Sequence, residues 1–335
     1  MTGGAGFIGS EVVRQLVSQN ARLTILDNFS SGKWEYIKNF VKLNVIIGDI
    51  CDNEIVCKAL IDQDYVINLA ALPFIPDCYH FPQDFFLVNV NGSINLLWQC
   101  IESKSIDRFV HISTSEVYGS AKYLPMDEDH PLNPHSTYAV SKLAADRAVF
   151  ALHKEHSFPA VVVRPFNSFG PNITQPYIIP EIIFQLTNGN GILRLGNVES
   201  TRDFTYVEDT ARGILLALTR KEAIGQTINI GSGTDVTIRE LALLIANLMS
   251  RRVRIVTDTT RFRPFDVQRL CSSTEKAEKL LGWKPEVPFE TGLNRTIEWV
   301  KENGLRFKDP FKGWQSIYRH QNAATEVFED GILVR

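Results

Sequence analysis

The chain has 335 residues, 44% of them apolar and 22% charged, with a net charge of -3, a composition that fits a globular enzyme-sized protein of two domains and excludes a disordered or low-complexity chain. No basic run points to nucleic acid or an anionic membrane, and no stretch approaches the ~18 apolar residues of a spanning helix. Five cysteines without a C-x-x-C pairing argue against a zinc site or a disulfide framework, so a reducing cytosol and no metal are expected.

The first element is a glycine-rich turn, Thr2 to Ser10, with Gly3, Gly6 and Gly9 evenly spaced and an apolar helical face following (Val12, Val13, Leu16, Val17). Glycines there permit a tight turn, close approach of backbone amides to a pyrophosphate, and tight packing of helix on sheet. The apolar run Arg22 to Leu26 then ends in Asp27, at the distance where a carboxylate grips an adenosine ribose. Such a loop normally leaves the end of a central strand, yet Met1 stands where that strand should finish. The expectation is that Met1 is an internal valine codon read as a start, with the strand's residues upstream.

The chain then alternates. Asn44 to Ile50 is a predicted strand with Asp49 near its end, Glu54 to Ile61 a short helix, and Tyr65 to Ala71 a buried strand finishing in small residues. Pro82 opens one long helix carrying Phe85, Val88, Leu96 and Leu97, and Arg108 to Ser113 is the next strand. This rhythm predicts an α/β fold, a doubly wound parallel sheet with helices on both faces. The segment Ser113 to Gly119 starts at a strand's C-terminal end, where open α/β sheets hold their ligands. Tyr138 and Lys142 lie one turn apart on a predicted helix running to about His156, so they share a face. A neighbouring ammonium is expected to favour the Tyr138 phenolate. Val161 to Asn167 is a further strand, Ser273 to Leu281 and Phe289 to Asn303 read as helices, and Trp283 and Trp299 are expected in the core.

Taken together, Thr2 to Ser10, Ser113 to Gly119 and the Tyr138/Lys142 pair resemble the extended short-chain dehydrogenase/reductases, specifically the nucleotide-sugar epimerases and dehydratases, from residue 2 to about 303. The resemblance implies a Rossmann-type domain over residues 1–170, a smaller α/β sugar-nucleotide domain over 171–303 with segments returning to the first, and a tail, 304–335, whose aromatic and basic residues suggest docking. It implies catalytic roles for Thr114, Tyr138 and Lys142. It also implies NAD contacts from Gly3, Gly6, Phe7, Ile8, Gly9, Asp27, Asn28, Asp49 and Ile50, and from Leu69, Ala70, Ala71, Asn89, Ser113 and Phe166 besides Tyr138 and Lys142. Asp27 in place of a basic residue favours NAD over NADP. Substrate contacts are implied for Thr114, Asn167, Leu193 (in the segment Ile192 to Gly196 that packs on the base), Arg202, Arg263 and Asp266. Bidentate, permanently charged arginines suit a diphosphate.

Glu116 bears on which reaction follows. A 4-epimerase needs only the tyrosine, lysine and hydroxyl set, whereas a 4,6-dehydratase needs a base for C5 once C4 is a ketone. In the dTDP-glucose branch an aspartate precedes that glutamate; here Ser115 does, so Glu116 would also have to protonate the departing C6 oxygen. The stretches Ser113 to Tyr123, Pro134 to Lys142 and Arg202 to Arg212 most resemble N-acetylhexosamine 4,6-dehydratases. A 4-epimerase, a UDP-glucuronate decarboxylase using an arginine such as Arg269, and a cofactor-holding regulatory protein without turnover remain alternatives. Members of the family usually dimerise, here through Gln83 to Ser103 and Thr137 to His156, with Val149, Phe150 and Leu152 suggesting a second buried face.

Overall fold

A computed structural model describes residues 1–304; the rest of the expected docked tail lies outside the described residues. The glycine turn leads into α1 (Phe7–Ser18), then β1 (Leu23–Asp27), β2 (Leu43–Ile47), α2 (Asn53–Ala59) and β3 (Tyr65–Asn68). Next come α3 (Ile75–Cys78), α4 (Pro82–Phe86), a π-helical stretch at Leu87–Gly92, and α5 (Ser93–Ser103). The long helix expected from Pro82 is therefore one rod with a π segment in its middle, the form helices take where an extra residue is accommodated near a site. After β4 (Arg108–Ile112) follow a 3₁₀ turn at Ser115–Tyr118, α6 (Thr137–His156) and β5 (Ala160–Pro165).

All pairings in the first sheet are parallel: β1 with β2, and β3, β4, β5 in sequence. The two blocks meet at Thr2, which bridges to both Leu26 and Asn68. Thr2 N–H donates to Ile67 O at 3.0 Å and Gly3 N–H to Leu26 O at 3.0 Å, so the start of the glycine turn forms the sheet's central rung. Strands buried on both faces explain the near-continuous apolar runs of β4 and β5.

From β5 the chain crosses into a second unit: β6 (Asn167–Phe169), α7 (Ile178–Asn188), β7 (Ile192–Leu195) and β8 (Thr201–Tyr206). It returns through α8 (Val207–Thr219) and β9 (Thr227–Ile230), then leaves again with β10 (Asp235–Thr237), α9 (Ile238–Leu248) and β11 (Arg254–Thr257) before α10 (Glu275–Leu281) and α11 (Phe289–Asn303). β9 pairs parallel with β5 and extends the first sheet, while β10, β8 and β6 form a small mixed sheet and β11 pairs with β7. One core cluster lies on the parallel sheet beneath α8 and α10 and includes the fully buried Trp283; another joins α7, α9, α11, β7 and β8. Trp299 packs half-buried against this second core.

Candidate active site

The crevice between the two cores is a cavity of about 460 Å³, within the range of small-molecule sites. Its first wall is the glycine turn. Gly9 packs so closely that a Cβ there would lie 2.0 Å from Gly3 O, and Gly3 itself has φ +66°, so side chains at either position would break the turn. Helix α1 starts from Gly6 with no side-chain cap and no acid in its first turn, which leaves its amides facing the cavity as an anion site.

Asp27 stands at the end of β1 on the same wall. Its Oδ2 accepts from Ala5 N–H at 2.9 Å and its Oδ1 from Phe29 N–H at 2.8 Å, so it shapes the glycine turn as well as facing the cavity. Burial raises its pKa while those two amides oppose the rise. Asp49 accepts from Asn28 Nδ2 at 2.9 Å, and both line the wall with Ile50, Leu69, Ala70 and Ala71.

Asn89 takes another part. It is fully buried in the π segment and does not reach the cavity wall; its Oδ1 accepts from Leu72 N–H at 2.8 Å and its Nδ2 donates to Leu72 O and Ser141 Oγ. It thereby staples the wall that follows β3 to the helix bearing Tyr138 and Lys142.

The reactive groups come from two elements. Thr114 caps the 3₁₀ turn, its Oγ1 accepting from Glu116 N–H at 3.2 Å, and Gly119 closes that turn at φ +66°, where a Cβ would meet Asn133 O at 2.1 Å. Ser136 caps α6 by accepting from Ala139 N–H, which fixes where Tyr138 and Lys142 emerge. Thr114, Glu116, Tyr138 and Lys142 all line the cavity. Ser115 does not: it is buried in the turn, off the wall, because a 3₁₀ turn sends neighbouring side chains in different directions.

Lys142 Nζ donates to Ile112 O at 2.5 Å. Burial pulls its pKa down to about 8, with Asp146 pulling the other way. Burial pushes the Tyr138 phenol up; a hydrogen bond with Thr114 counters this and the Glu116 charge adds to it. In this arrangement burial outweighs the help expected from the lysine neighbour at Tyr138, and Lys142 is engaged by a carbonyl.

Behind the site lies a buried ion pair. Arg164 Nε donates to Asp146 Oδ2 at 2.8 Å and its Nη1 to Tyr118 OH at 2.9 Å, while Tyr118 OH donates to Asn229 Oδ1 at 2.7 Å. This arginine joins α6, the 3₁₀ turn and β5, three segments that supply the wall.

The second unit provides the opposite side. Asn167, Arg202, Arg263 and Asp266 line the cavity with Phe166. Arg202 is buried, which lowers its pKa, and its Nη2 lies 3.4 Å from Asp266 Oδ1. Leu193 is not on the wall; it points into the second core, and Leu195, two residues along on the same face of the strand, is the one that reaches the cavity. Residues not anticipated from sequence include Tyr177, Glu181, Asn197 and Arg261; their spacing follows no local motif, and only the folding of α7, the β7–β8 connection and the segment after β11 onto one crevice brings them together. Two buried wall atoms, Ser113 Oγ and Asn167 Oδ1, have no hydrogen-bond partner among the described residues. Such atoms cost ~1–3 kcal/mol each if left bare, so the wall suits a ligand with polar groups. No group of three or more metal-binding side chains occurs among the described residues, and no helix there is long and apolar enough to cross a membrane.

A family profile described as GDP-mannose 4,6 dehydratase matches residues 1–296. The dTDP-glucose 4,6-dehydratase of Streptomyces niveus is 33% identical over 321 residues, 90% of this chain and 92% of that protein. Among solved structures, DesIV, the dTDP-glucose 4,6-dehydratase of Streptomyces venezuelae with NAD and TYD bound, superposes with TM-score 0.83 at 32% identity, covering 90% of this chain and 96% of that one. The UDP-N-acetylglucosamine 4-epimerase of Methanobrevibacter ruminantium M1, in complex with UDP-N-acetylmuramic acid, does so with TM-score 0.81 at 30% identity, covering 90% and 97%.

Proposed function

Because the chain belongs to the GDP-mannose 4,6-dehydratase family, we propose that it is an NAD-dependent nucleotide-sugar 4,6-dehydratase. The observation that carries this reading over epimerisation is Glu116, a carboxylate only 8% exposed that lines the cavity beside Thr114 and Tyr138. Inverting C4 gives such an acid nothing to do; removing the C5 proton requires one. NAD fits the wall of helix-α1 amides, Asp27 and Ser113, and when bound it supplies the acceptor and later the donor of hydride.

The chain's own residues handle the protons. Tyr138, hydrogen-bonded to Thr114, receives the proton of the sugar's C4 hydroxyl as the phenolate, after losing its own proton to solvent; its raised pKa makes that form scarce but strongly basic, so the proton passes to it as the C4–H bond breaks. Lys142 supplies positive charge at the same face. Glu116 then removes the C5 proton, now acidified by the C4 ketone, and gives it to the C6 oxygen, which leaves as water. With Ser115 off the wall, one carboxylate performs both transfers. Arg202 and Arg263 hold the diphosphate, and Asn167 offers its amide to the same region.

We also assign the protein to the cytosol, where its five free thiols are stable, and to a homodimer. The support for the dimer is an apolar face on the outer sides of the π segment, α5 and α6, where Leu87, Ile94, Trp98, Val140 and Phe150 are exposed. Val149 and Leu152 do not contribute to it, because they pack inward against the parallel sheet.

Glu116→Gln tests the reaction. It should retain NAD and sugar-nucleotide binding and lose dehydration by ~10²–10⁴-fold. Undiminished turnover in the variant, with C4 inversion and no loss of water, would replace the dehydratase by an epimerase.

A further inference from the structure

The wall residues Arg263 and Asp266 ride on a strap, residues 258–268, between β11 and Arg269, whose backbone bridges to Thr201. Both ends of the strap are tied down. Upstream, Arg261 Nη1 donates to Glu181 Oε1 on α7 at 2.7 Å. Downstream, Val267 is buried in one core cluster with Val117 and Tyr118 of the 3₁₀ turn, and Gln268 N–H donates to Ser120 Oγ at 2.8 Å. Between these anchors Asp266 reaches Arg202 Nη2 and Asn197 Nδ2 at 3.4 Å each, long for charge-assisted bonds. The close contact is aromatic: Phe265 lies flat on His135, ring centroids 3.7 Å apart and planes 11° from parallel.

His135 sits where the reactive segments meet. It directly precedes Ser136, the cap of α6, the helix that bears Tyr138 and Lys142. Its imidazole also closes on Gly119, where a Cβ would come within 2.9 Å of Cδ2 and Nε2, so it abuts the turn that carries Thr114 and Glu116. On the strap side the link is stiff. Pro264 fixes its own φ and keeps the preceding Arg263 out of the helical region, so where the Phe265 ring rests sets where the Arg263 side chain starts. Phe265 is 58% exposed; its ring adds little to the core, and what the stack supplies is position.

We propose that Phe265 is a positioning residue for substrate binding: by stacking on His135 it holds Arg263 and Asp266 at the cavity, in register with the turn and helix that carry out the proton transfers. This inference rests on the nucleotide-sugar reading above, in which Arg263 meets the diphosphate. Without the ring, the strap between Arg261 and Val267 gains freedom that a bound diphosphate has to remove. The loss therefore appears in affinity. An aromatic pair contributes a factor of about three to ten beyond its buried area, and that is the size of the effect. An aliphatic side chain fills the same space without stacking and does not replace it.

The test is calorimetric titration of the full-length, NAD-loaded protein with UDP, GDP and dTDP, repeated with Phe265→Ala, Phe265→Leu, Phe265→Tyr, His135→Ala and the double variant His135→Ala/Phe265→Ala. The nucleotide that wild type binds most tightly should bind Phe265→Ala and Phe265→Leu about threefold to tenfold more weakly, and Phe265→Tyr within about twofold of wild type. The double variant should bind no more weakly than His135→Ala alone, because the two rings act as one contact. Melting temperatures of the Phe265 variants should match wild type. Phe265→Ala or Phe265→Leu binding as tightly as wild type overturns the proposal, and so do losses that multiply in the double variant. A loss of affinity accompanied by a lower melting temperature also overturns it, since Phe265 would then be a structural residue. Should His135→Ala fail to fold, the Phe265 series alone decides. Binding of none of the three nucleotides by wild type would instead remove the nucleotide-sugar reading itself, a different failure from a stack without effect.

Discussion

At the scale of single residues, the site keeps Lys142 at the expense of stability. The pKa falls from 10.5 to about 8 on burial, which corresponds to a penalty of order 3 kcal/mol below pH 8. The sign follows from proton counting. Between pH 8 and 10.5 the unfolded chain binds the proton that the folded chain has released, so stability attributable to this group rises with pH across that window, and the penalty is present in full below it. Lys142→Met should therefore abolish turnover yet raise the melting temperature at pH 7, by an amount that shrinks as pH approaches 10. Thermal melts across that range check it; a variant less stable than wild type at pH 7 would mean that the bond to Ile112 O outweighs the burial.

Elements carry the site as much as residues do. Arg164 couples the turn holding Thr114 and Glu116 to the helix holding Tyr138 and Lys142, through Tyr118 on one side and Asp146 on the other. Tyr118→Phe removes one hydroxyl that satisfies both Arg164 and Asn229, and should cost ~1–3 kcal/mol in denaturant melts. Because Tyr118 follows Glu116 by two residues, turnover should fall by about tenfold with KM for the sugar nucleotide nearly unchanged. A rise in KM at constant kcat would place the effect on substrate binding instead. Asn89→Ala, which frees the Leu72 amide and carbonyl, should instead weaken NAD binding by about tenfold, as read by titration.

This scale also separates what was legible in the chain from what was not. The glycine turn, the β–α alternation and the Tyr138/Lys142 spacing are local patterns, and local geometry dictates them. Leu193 and Leu195 share the face of β7 that meets the second core, so alternation cannot choose between them; only the position along the strand puts Leu195 at the wall. Ser115 is adjacent to two wall residues and still misses the wall, since turn geometry rather than adjacency aims it. The π segment left no mark in the apolar periodicity around it. Glu181 and Arg261 come together only through tertiary packing, eighty residues apart, and no spacing rule reaches that far.

At the scale of the whole molecule, the two cores make the crevice, and the outer helices carry the exposed apolar face on which the proposed dimer rests. Trp98 is 40% exposed in the middle of that apolar face and stacks edge-on with His156 of α6. Trp98→Glu should convert a dimer to a monomer at micromolar concentration in light scattering, with the far-UV spectrum unchanged. Wild-type protein that is already monomeric there would remove the homodimer from the account.

The central claim is that this crevice eliminates water from a nucleotide sugar by way of Glu116. The most direct measurement is mass spectrometry of the product formed in deuterated water from a panel of UDP-, GDP- and dTDP-hexoses. The account predicts a product lighter by one water, with solvent deuterium at C5 for the wild type and neither change for Glu116→Gln. A product of unchanged mass with C4 inverted, formed equally fast by both proteins, would contradict it.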